Sequence, residues 1–247
     1  MRVLVVNCNT SNGMTAAITA IARDAAAPGT TVIGAQPSWG PASAEGYYES
    51  FISAAAVLDL LASTAEVFDA VVMAGFGEHG REGARQLLDV PVVDITEAAA
   101  QLACLLGSRF GVVTTVRNAL VPIEESLLTA GLAHRCAGVR ACEVDVLGLH
   151  DDPDATTTAL IAQGRLLLAA GADVLVLGCA GMAGLDRRLE RVLGVPVVDG
   201  VAAAVKLCEA LVGLGKLTSK AGPYSPPSPV KNRPGWPVSA VSALEPR

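Results

Sequence analysis

The chain repeats part of its own sequence at a spacing of slightly more than 100 residues. Three segments recur in the same order, at offsets between 104 and 107 residues. The aligned pairs are residues 2–7 with 109–114, residues 69–77 with 173–181, and residues 91–94 with 196–199. Such a repeat predicts two similar lobes related by a pseudo-twofold axis.

Strand and helix patterns alternate within each repeat. Short apolar runs predict strands at residues 3–6, 31–33, 70–73, 92–93, 110–113, 174–177 and 197–198. Helices are predicted at residues 48–64, 95–106, 186–193 and 201–212. Asp94 and Asp199 end aligned strands and are predicted to cap the helices that follow. The alternation is typical of βαβ units, so the expected fold class is α/β, with two pseudo-symmetric lobes of parallel sheets flanked by helices.

The repeat also divides the chain into predicted domains. We expect residues 1–100 plus 196–217 to form lobe one and residues 101–195 to form lobe two. Residues 218–247 hold seven of the 14 prolines and lack a periodic apolar pattern. These residues are predicted to form a disordered or loosely attached tail.

Composition excludes several classes of protein. Hydrophobic residues make up 51% of the chain and the formal charge is −6, which argues against disorder and against a nucleic-acid partner. No uncharged apolar run reaches the roughly 18 residues of a membrane span, and the N-terminus lacks a signal-peptide pattern. We therefore expect a cytoplasmic protein with no membrane partner. The six cysteines form no Cys-x-x-Cys pair, so no metal site is predicted.

The predicted site is a cleft between the two lobes. Ligands of parallel sheets bind beyond the carboxyl ends of the strands. Two facing lobes would bring four strand-end loops to one cleft, and these loops begin at Asn7, Gly75, Thr114 and Cys179.

Cys179 is the principal candidate for a catalytic residue. It follows a buried strand and precedes a helix, and the positive end of the helix dipole would favour its thiolate. Its neighbours Gly178, Ala180 and Gly181 are small, which lets a ligand approach the backbone. The alternative is a buried structural cysteine.

Gly75 occupies the position related to Cys179 by the repeat, and it has no side chain. Glu78 and His79 follow in the same loop. The near-neutral pKa of histidine would suit acid–base work by His79 in the space that Gly75 leaves. Phe76 and Gly77 begin this loop and are candidate substrate contacts.

Polar residues follow the first strand of each repeat. Asn7, Asn9 and Thr10 are candidates to bind an anionic or carbonyl oxygen, although Thr10 also suits simple helix capping. Thr114 and Thr115 lie at the equivalent turn of the second repeat, where two hydroxyls would make an oxyanion pocket.

Several motifs together resemble the aspartate/glutamate racemase superfamily, with a closer likeness to its hydantoin and allantoin racemases. They are residues 7–11 (Asn-Cys-Asn-Thr-Ser), 40–49, 76–77, 113–115 and 178–182. The likeness covers about residues 1–215. It implies a two-lobed α/β enzyme without a metal or an organic cofactor. It also implies a small-molecule substrate with a carbonyl or carboxylate, and a homodimer or higher homo-oligomer.

The resemblance also implies a mechanism from which this chain departs. Members use two cysteines that face each other across the stereocentre, and Cys179 matches the one in the second lobe. The hydantoin racemase pattern in the first lobe is Cys-Phe-Gly-Asp-Pro-Gly, whereas residues 75–80 are Gly-Phe-Gly-Glu-His-Gly. The family usually has proline where Cys8 stands, and the sequence alone assigns Cys8 no role.

Three functions remain open at this point. The first is racemisation or epimerisation at a carbon next to a carbonyl, with Cys179 and a second group such as His79, Glu78 or water. The second is a cofactor-free decarboxylation like that of arylmalonate decarboxylases, in which Cys179 would protonate the carbanion. The third is binding of a small ligand without catalysis.

Overall fold

A computed structural model describes residues 1–227, apart from the side chain of His150. It contains eight strands: β1 Arg2–Asn7, β2 Thr31–Ala35, β3 Ala70–Ala74, β4 Val92–Asp94, β5 Phe110–Thr114, β6 Cys136–Ala141, β7 Val174–Leu177 and β8 Val197–Asp199. They form two parallel sheets with the orders β2-β1-β3-β4 and β6-β5-β7-β8. In each sheet the four strands lie in the order second, first, third, fourth along the chain, as the repeat predicts. The α/β fold class is confirmed.

Eight α-helices flank the sheets of the described chain. They are α1 Asn12–Ala25, α2 Tyr47–Ser63, α3 Arg81–Leu87, α4 Ile95–Leu106, α5 Leu120–Thr129, α6 Pro153–Ala169, α7 Asp186–Leu193 and α8 Gly200–Gly213. No helix among residues 1–227 is both long and apolar enough to cross a membrane.

The two aligned aspartates cap helices as predicted. Asp94 accepts hydrogen bonds from the backbone N–H groups of Thr96 and Glu97, at 2.8 and 3.1 Å. Asp199 accepts from the N–H groups of Val201 and Ala202, at 2.7 and 3.2 Å. Each carboxylate satisfies donors that the first turn of a helix leaves unpaired.

The helices α4 and α8 join the lobes. Helix α4 follows a strand of the first sheet but packs mainly against β7 and β8, whereas α8 follows the second sheet and packs against β3, β4 and α1. The two helices also pack against each other. A Cβ atom on Gly200 would lie 2.8 Å from the Ile95 carbonyl oxygen, so this close approach of the two helix starts requires glycine.

The predicted domain boundaries need two corrections. Strand β8 pairs with β7 in the second sheet, whereas the predicted boundaries place residues 196–199 in lobe one. The boundary at residue 100 falls inside α4, which is one uninterrupted helix. The largest buried cluster includes Val72 of the first sheet and Val176 of the second. The lobes therefore share a core, because each sheet buries one face under a helix that the other sheet supplies.

The first ten residues of the predicted tail are not loosely attached. Thr218 donates from its N–H to the Asp89 carbonyl at 2.8 Å and from its hydroxyl to the Val90 carbonyl at 2.6 Å. The hydroxyl of Tyr224 donates to Glu82. The prediction of a disordered tail is therefore wrong for residues 218–227, since side chains rather than an apolar pattern hold this segment. Residues 228–247 lie outside the described residues.

Lys220 provides the strongest of these tail contacts. Its ammonium group donates to the carbonyl oxygens of Arg85, Gln86 and Leu88 at the end of α3, at 2.8, 3.2 and 2.6 Å. Cations stabilise the carbonyl end of a helix. We expect Lys220→Met to lower the free energy of unfolding by about 1–2 kcal/mol, measured by urea denaturation. Lys216→Met, at an exposed position, is the matched control, and equal midpoints for the two variants would contradict this role.

Candidate active site

The carboxyl ends of β1, β3, β5 and β7 meet at one cavity between the lobes. Most predicted site residues line it, and they are Asn7, Asn9, Gly75, Phe76, His79, Thr114, Thr115, Gly178, Cys179 and Ala180. Cys8, Met14, Ala44, Ala74, Ala119 and Val146 complete the lining. Among residues 1–227, no group of three or more histidine, cysteine or acidic side chains is placed to hold a metal ion.

Three predicted substrate contacts lie outside the lining. Thr10 donates from both its N–H and its hydroxyl to the Pro41 carbonyl, at 3.0 and 3.2 Å. Gly77 donates its N–H to the Thr96 hydroxyl at 2.8 Å. The N–H of Gly181 donates to the Cys179 sulfur at 3.4 Å. These groups therefore shape the loops around the cavity.

The cavity is small, with a volume of about 40 Å³. Residues of both lobes line it, so a ligand held there would contact both lobes.

Cys179 lies at the second-lobe side of the cavity. Only a three-residue 3₁₀ helix, Ala180–Met182, follows it. Burial raises the pKa of Cys179 to about 11, and the Gly181 N–H offsets this only in part. The expectation that a helix dipole favours the thiolate is therefore wrong, because desolvation outweighs one backbone donor. Cys179 rests as a neutral thiol, which is a proton donor.

The two threonines after β5 do not form a pair of free hydroxyls. The Thr114 hydroxyl donates to the Gly178 carbonyl at 2.9 Å, so its proton is already used. The Thr115 side chain is buried at the cavity and makes no hydrogen bond within residues 1–227. Thr115 is thus the threonine whose hydroxyl can donate to a ligand.

The two asparagines after β1 have different roles. The amide nitrogen of Asn7 donates to Asn9 Oδ1 and to the Thr15 hydroxyl, at 2.9 and 3.0 Å. The amide nitrogen of Asn9 has only the Met14 sulfur as acceptor, at 3.5 Å. Sulfur is a weak acceptor. Asn7 therefore holds Asn9 in place, and Asn9 retains donor capacity toward the cavity.

Gly75 does not leave an open space opposite Cys179. A Cβ atom at Gly75 would lie 2.7 Å from His79 Nδ1, 2.8 Å from Cys8 Cβ and 2.9 Å from Cys8 Sγ. The expectation of room for a further side chain is wrong, because Cys8, which follows β1, and His79 of the same loop fill that volume. Glycine is the residue that this close approach allows.

His79 is buried at this point. Its side chain is 6% exposed, and Nδ1 has no hydrogen bond of normal geometry. Burial lowers the pKa of His79 to about 4, although the Gly75 carbonyl offsets this in part. The expectation of a near-neutral pKa is therefore wrong. At neutral pH His79 is uncharged, so its ring can accept a proton but has none to give as an imidazolium.

Cys8 is the cavity residue that sequence reasoning left without a role. It follows β1, which pairs in register with β3 so that Asn7 lies beside Ala74. The next residues along the two strands, Cys8 and Gly75, are therefore neighbours. The thiol in place of the usual proline was a signal, but only strand register shows that it lies beside Gly75.

Comparisons with known proteins match almost the whole described chain. Residues 3–208 match the family model described as Asp/Glu/Hydantoin racemase. A hydantoin racemase of Pseudomonas sp. (strain NS671) is 38% identical over 229 residues, which are 92% of each chain. The crystal structure of an allantoin racemase from Pseudomonas fluorescens is 50% identical with a TM-score of 0.93, and the match covers 94% of this chain and 100% of that one.

A more distant likeness bears on the decarboxylase alternative. A crystal structure of arylmalonate decarboxylase is 18% identical with a TM-score of 0.58, over 87% of this chain and 94% of that one. Identity at this level shows a shared fold alone.

Proposed function

The chain belongs to the Asp/Glu/hydantoin racemase family, whose named relatives are isomerases, and from this premise we propose that it racemises 5-substituted hydantoins such as allantoin. Its own side chains would carry the protons. The stereocentre of such a ring bears a hydrogen next to a carbonyl group. Removing that proton gives an enolate, and returning a proton to the other face inverts the centre.

The position of Cys179 carries this proposal. Its thiol lies at a buried cavity between the lobes and is protonated at neutral pH. A neutral thiol beside the stereocentre can return a proton to an enolate carbon. The thiolate that remains is the base for the reverse direction, so one residue serves both enantiomers.

Hydrogen-bond donors close to Cys179 support the same reaction. An enolate next to a carbonyl forms only if its oxygen is stabilised. The free hydroxyl of Thr115 and the under-used amide of Asn9 both line the cavity. These two donors come from different lobes, so a substrate held in the cavity would be bound from both sides.

A deuterium experiment tests the proposal. Single enantiomers of allantoin and of 5-alkyl and 5-aryl hydantoins are incubated with the protein in deuterated water, and blanks without protein are subtracted. We expect loss of optical rotation together with deuterium at the stereocentre, because the proton that returns comes from the enzyme and its solvent. Polarimetry measures the loss of optical rotation, and proton magnetic resonance measures the deuterium at the stereocentre.

Substituted malonates provide the contrasting arm of this experiment. Release of CO₂ from an arylmalonate without racemisation of any hydantoin would favour a decarboxylase. Binding of a hydantoin with neither exchange nor CO₂ release would favour a ligand-binding protein. Either result would reject the proposed racemase. Assembly into a homodimer remains a prediction, and sedimentation analysis tests it independently.

A further inference from the structure

We propose that Cys8 is the proton carrier on the first-lobe face of the substrate, and that His79 is the positioning residue that receives the Cys8 proton. This inference rests on the proposed racemase activity and adds a second catalytic thiol to it. It replaces the expectation that His79, Glu78 or water acts directly in a space left by Gly75.

Inversion of a stereocentre needs a proton carrier on each face. Three ionisable side chains line the cavity in the described chain: Cys8 and His79 from the first lobe and Cys179 from the second. Cys179 therefore serves one face, and the carrier for the other face comes from the first lobe. A thiol matches the acidity of Cys179 better than an imidazole does, and racemisation in both directions favours carriers of similar pKa.

Strand register and a missing side chain place the Cys8 thiol. Asn7 pairs with Ala74, so Cys8 follows β1 beside Gly75 at the end of β3. A Cβ atom on Gly75 would lie 2.9 Å from Cys8 Sγ and 2.8 Å from Cys8 Cβ. Cys8 thus occupies the volume that a side chain at position 75 would take, and it lines the cavity from the first lobe.

His79 lies at the same point. Its Nδ1 atom is 2.7 Å from the position of that absent Cβ atom, so Nδ1 and Cys8 Sγ both lie within 3 Å of one point. Nδ1 is buried without a hydrogen bond of normal geometry. A buried acceptor of this kind is costly to leave unpaired. A Cys8 S–H turned toward Nδ1 would supply the hydrogen bond that this nitrogen lacks.

The proton balance of the reaction closes with these groups. The Cys8 S–H transfers its proton to His79 Nδ1, which gives a thiolate and an imidazolium. Taken singly, the two groups disfavour this transfer, because burial sets their pKa values at about 12 and about 4; the attraction between the adjacent thiolate and imidazolium lowers its cost. The thiolate takes the α-proton, and the electron pair of the C–H bond moves into the enolate. Cys179 then gives its proton to the opposite face and becomes the thiolate. Racemisation in the reverse direction begins with Cys179 as the thiolate and Cys8 as the thiol.

Mutual repulsion prevents the two thiols from ionising together. Burial raises the pKa of Cys8 to about 12, and the charge of Cys179 is the next cause. Two thiolates at one small cavity are therefore unfavourable. One base and one acid is the state that racemisation requires.

The test compares single-thiol variants with wild-type protein in deuterated water. We expect Cys8→Ala and Cys8→Ser to lower racemisation by at least about a hundredfold, in the range for an acid–base group. Each should still exchange the α-proton of one enantiomer without inversion. Cys179→Ala should exchange the α-proton of the other enantiomer only. Serine keeps the side-chain volume, and circular dichroism verifies the fold of all variants.

The outcomes separate this inference from the proposed function. Cys104→Ala, which removes a partly buried thiol on α4 outside the cavity, should leave racemisation unchanged. If wild-type protein racemises and Cys8→Ala keeps its rate, only the role of Cys8 is overturned. If Cys8→Ala and Cys179→Ala exchange the α-proton of the same enantiomer, the role of Cys8 is overturned as well. If wild-type protein racemises no hydantoin, the proposed function fails and this inference falls with it.

A pH profile tests His79 separately. In His79→Gln the Cys8 proton must leave to solvent, so we expect kcat/KM to rise about tenfold per pH unit between pH 7 and pH 9. The wild-type profile should be flatter, because His79 receives the proton. Identical profiles would overturn the positioning role of His79.

Discussion

Replacing Cys179 with alanine is expected to lower racemisation by at least about a hundredfold, in the range that acid–base groups contribute. Cys179 is the only ionisable residue that the second lobe contributes to the lining of the cavity described above. Without it, protons can reach the substrate from the first-lobe face alone, so inversion stops. The measurement is the initial rate of loss of optical rotation with a single enantiomer of a 5-substituted hydantoin.

Cys179→Ser separates thiol chemistry from packing. Its hydroxyl can keep the contact with the Gly181 N–H, which donates to sulfur at 3.4 Å, but a hydroxyl is far less acidic than a thiol. We expect the serine variant to fold normally and to be as impaired as the alanine variant. Near wild-type racemisation in either folded variant would remove Cys179 from the mechanism.

Replacing Arg81 with methionine is expected to lower the free energy of unfolding by about 3–5 kcal/mol, the range for removing one partner of a buried ion pair. The Arg81 side chain is 1% exposed, and it lies 2.7 Å from Glu82, 3.5 Å from Glu97 and 3.7 Å from Asp94. Methionine retains most of the volume but leaves the buried carboxylate of Asp94 without its cation. Urea unfolding of the wild-type and variant proteins measures the difference.

The loss of unfolding free energy caused by Arg81→Met should grow as the pH is raised above about 7. Burial raises the pKa of Asp94 from 3.8 to about 7, and the charge of Arg81 limits the rise. Ionising Asp94 in the folded state therefore costs stability between about pH 4 and pH 7 in both proteins. Without Arg81 the folded pKa is higher still, so the variant continues to lose stability above pH 7. Urea unfolding of both proteins at pH 6 and pH 9 tests whether the difference in unfolding free energy grows with pH.

Arg188→Met is the matched control. Arg188 also pairs with an aspartate, Asp154, at 2.7 Å, but both side chains are largely exposed. Exposed pairs contribute about 0–1 kcal/mol. Equal losses in the Arg81 and Arg188 variants, or a pH-independent loss at Arg81, would contradict the role of burial.

Arg81 also connects stability to the site. Its guanidinium donates to the Ser126 hydroxyl at 3.2 Å, and that hydroxyl donates to the Gly77 carbonyl at 3.1 Å. Ser126 belongs to α5, which follows the second sheet's first strand, whereas Gly77 belongs to the loop after β3. The loop that positions Phe76 and His79 is thus held from both lobes.

Local patterns in the sequence predicted seven of the eight strands in the described chain, whereas β6, α3, α5 and α6 were not among the predicted elements. The strand at residues 174–177 and the helices at residues 95–106 and 186–193 have the predicted bounds, because buried parallel strands and Ala-rich helices carry strong local signals. The capping by Asp94 and Asp199 was visible for the same reason. The repeat predicted equivalent sheets, and hence which strand-end loops meet.

Contacts between distant segments decided what the sequence left open. The domain assignment of β8 depends on pairing with β7, and the attachment of residues 218–227 depends on side chains that reach α3. Neither contact produces a periodic pattern in the chain. Such segments look like linker or tail until their partners are known.

The character of the site was likewise decided by tertiary structure. The sequence shows a glycine at position 75 and a cysteine at position 8, but their proximity follows from the register of β1 with β3, more than 60 residues apart. Burial raises the pKa of Cys179 and lowers the pKa of His79, so the interior holds both groups more firmly in their neutral states. Desolvation depends on every group that surrounds a side chain. A residue type and its sequence neighbours therefore do not determine its pKa.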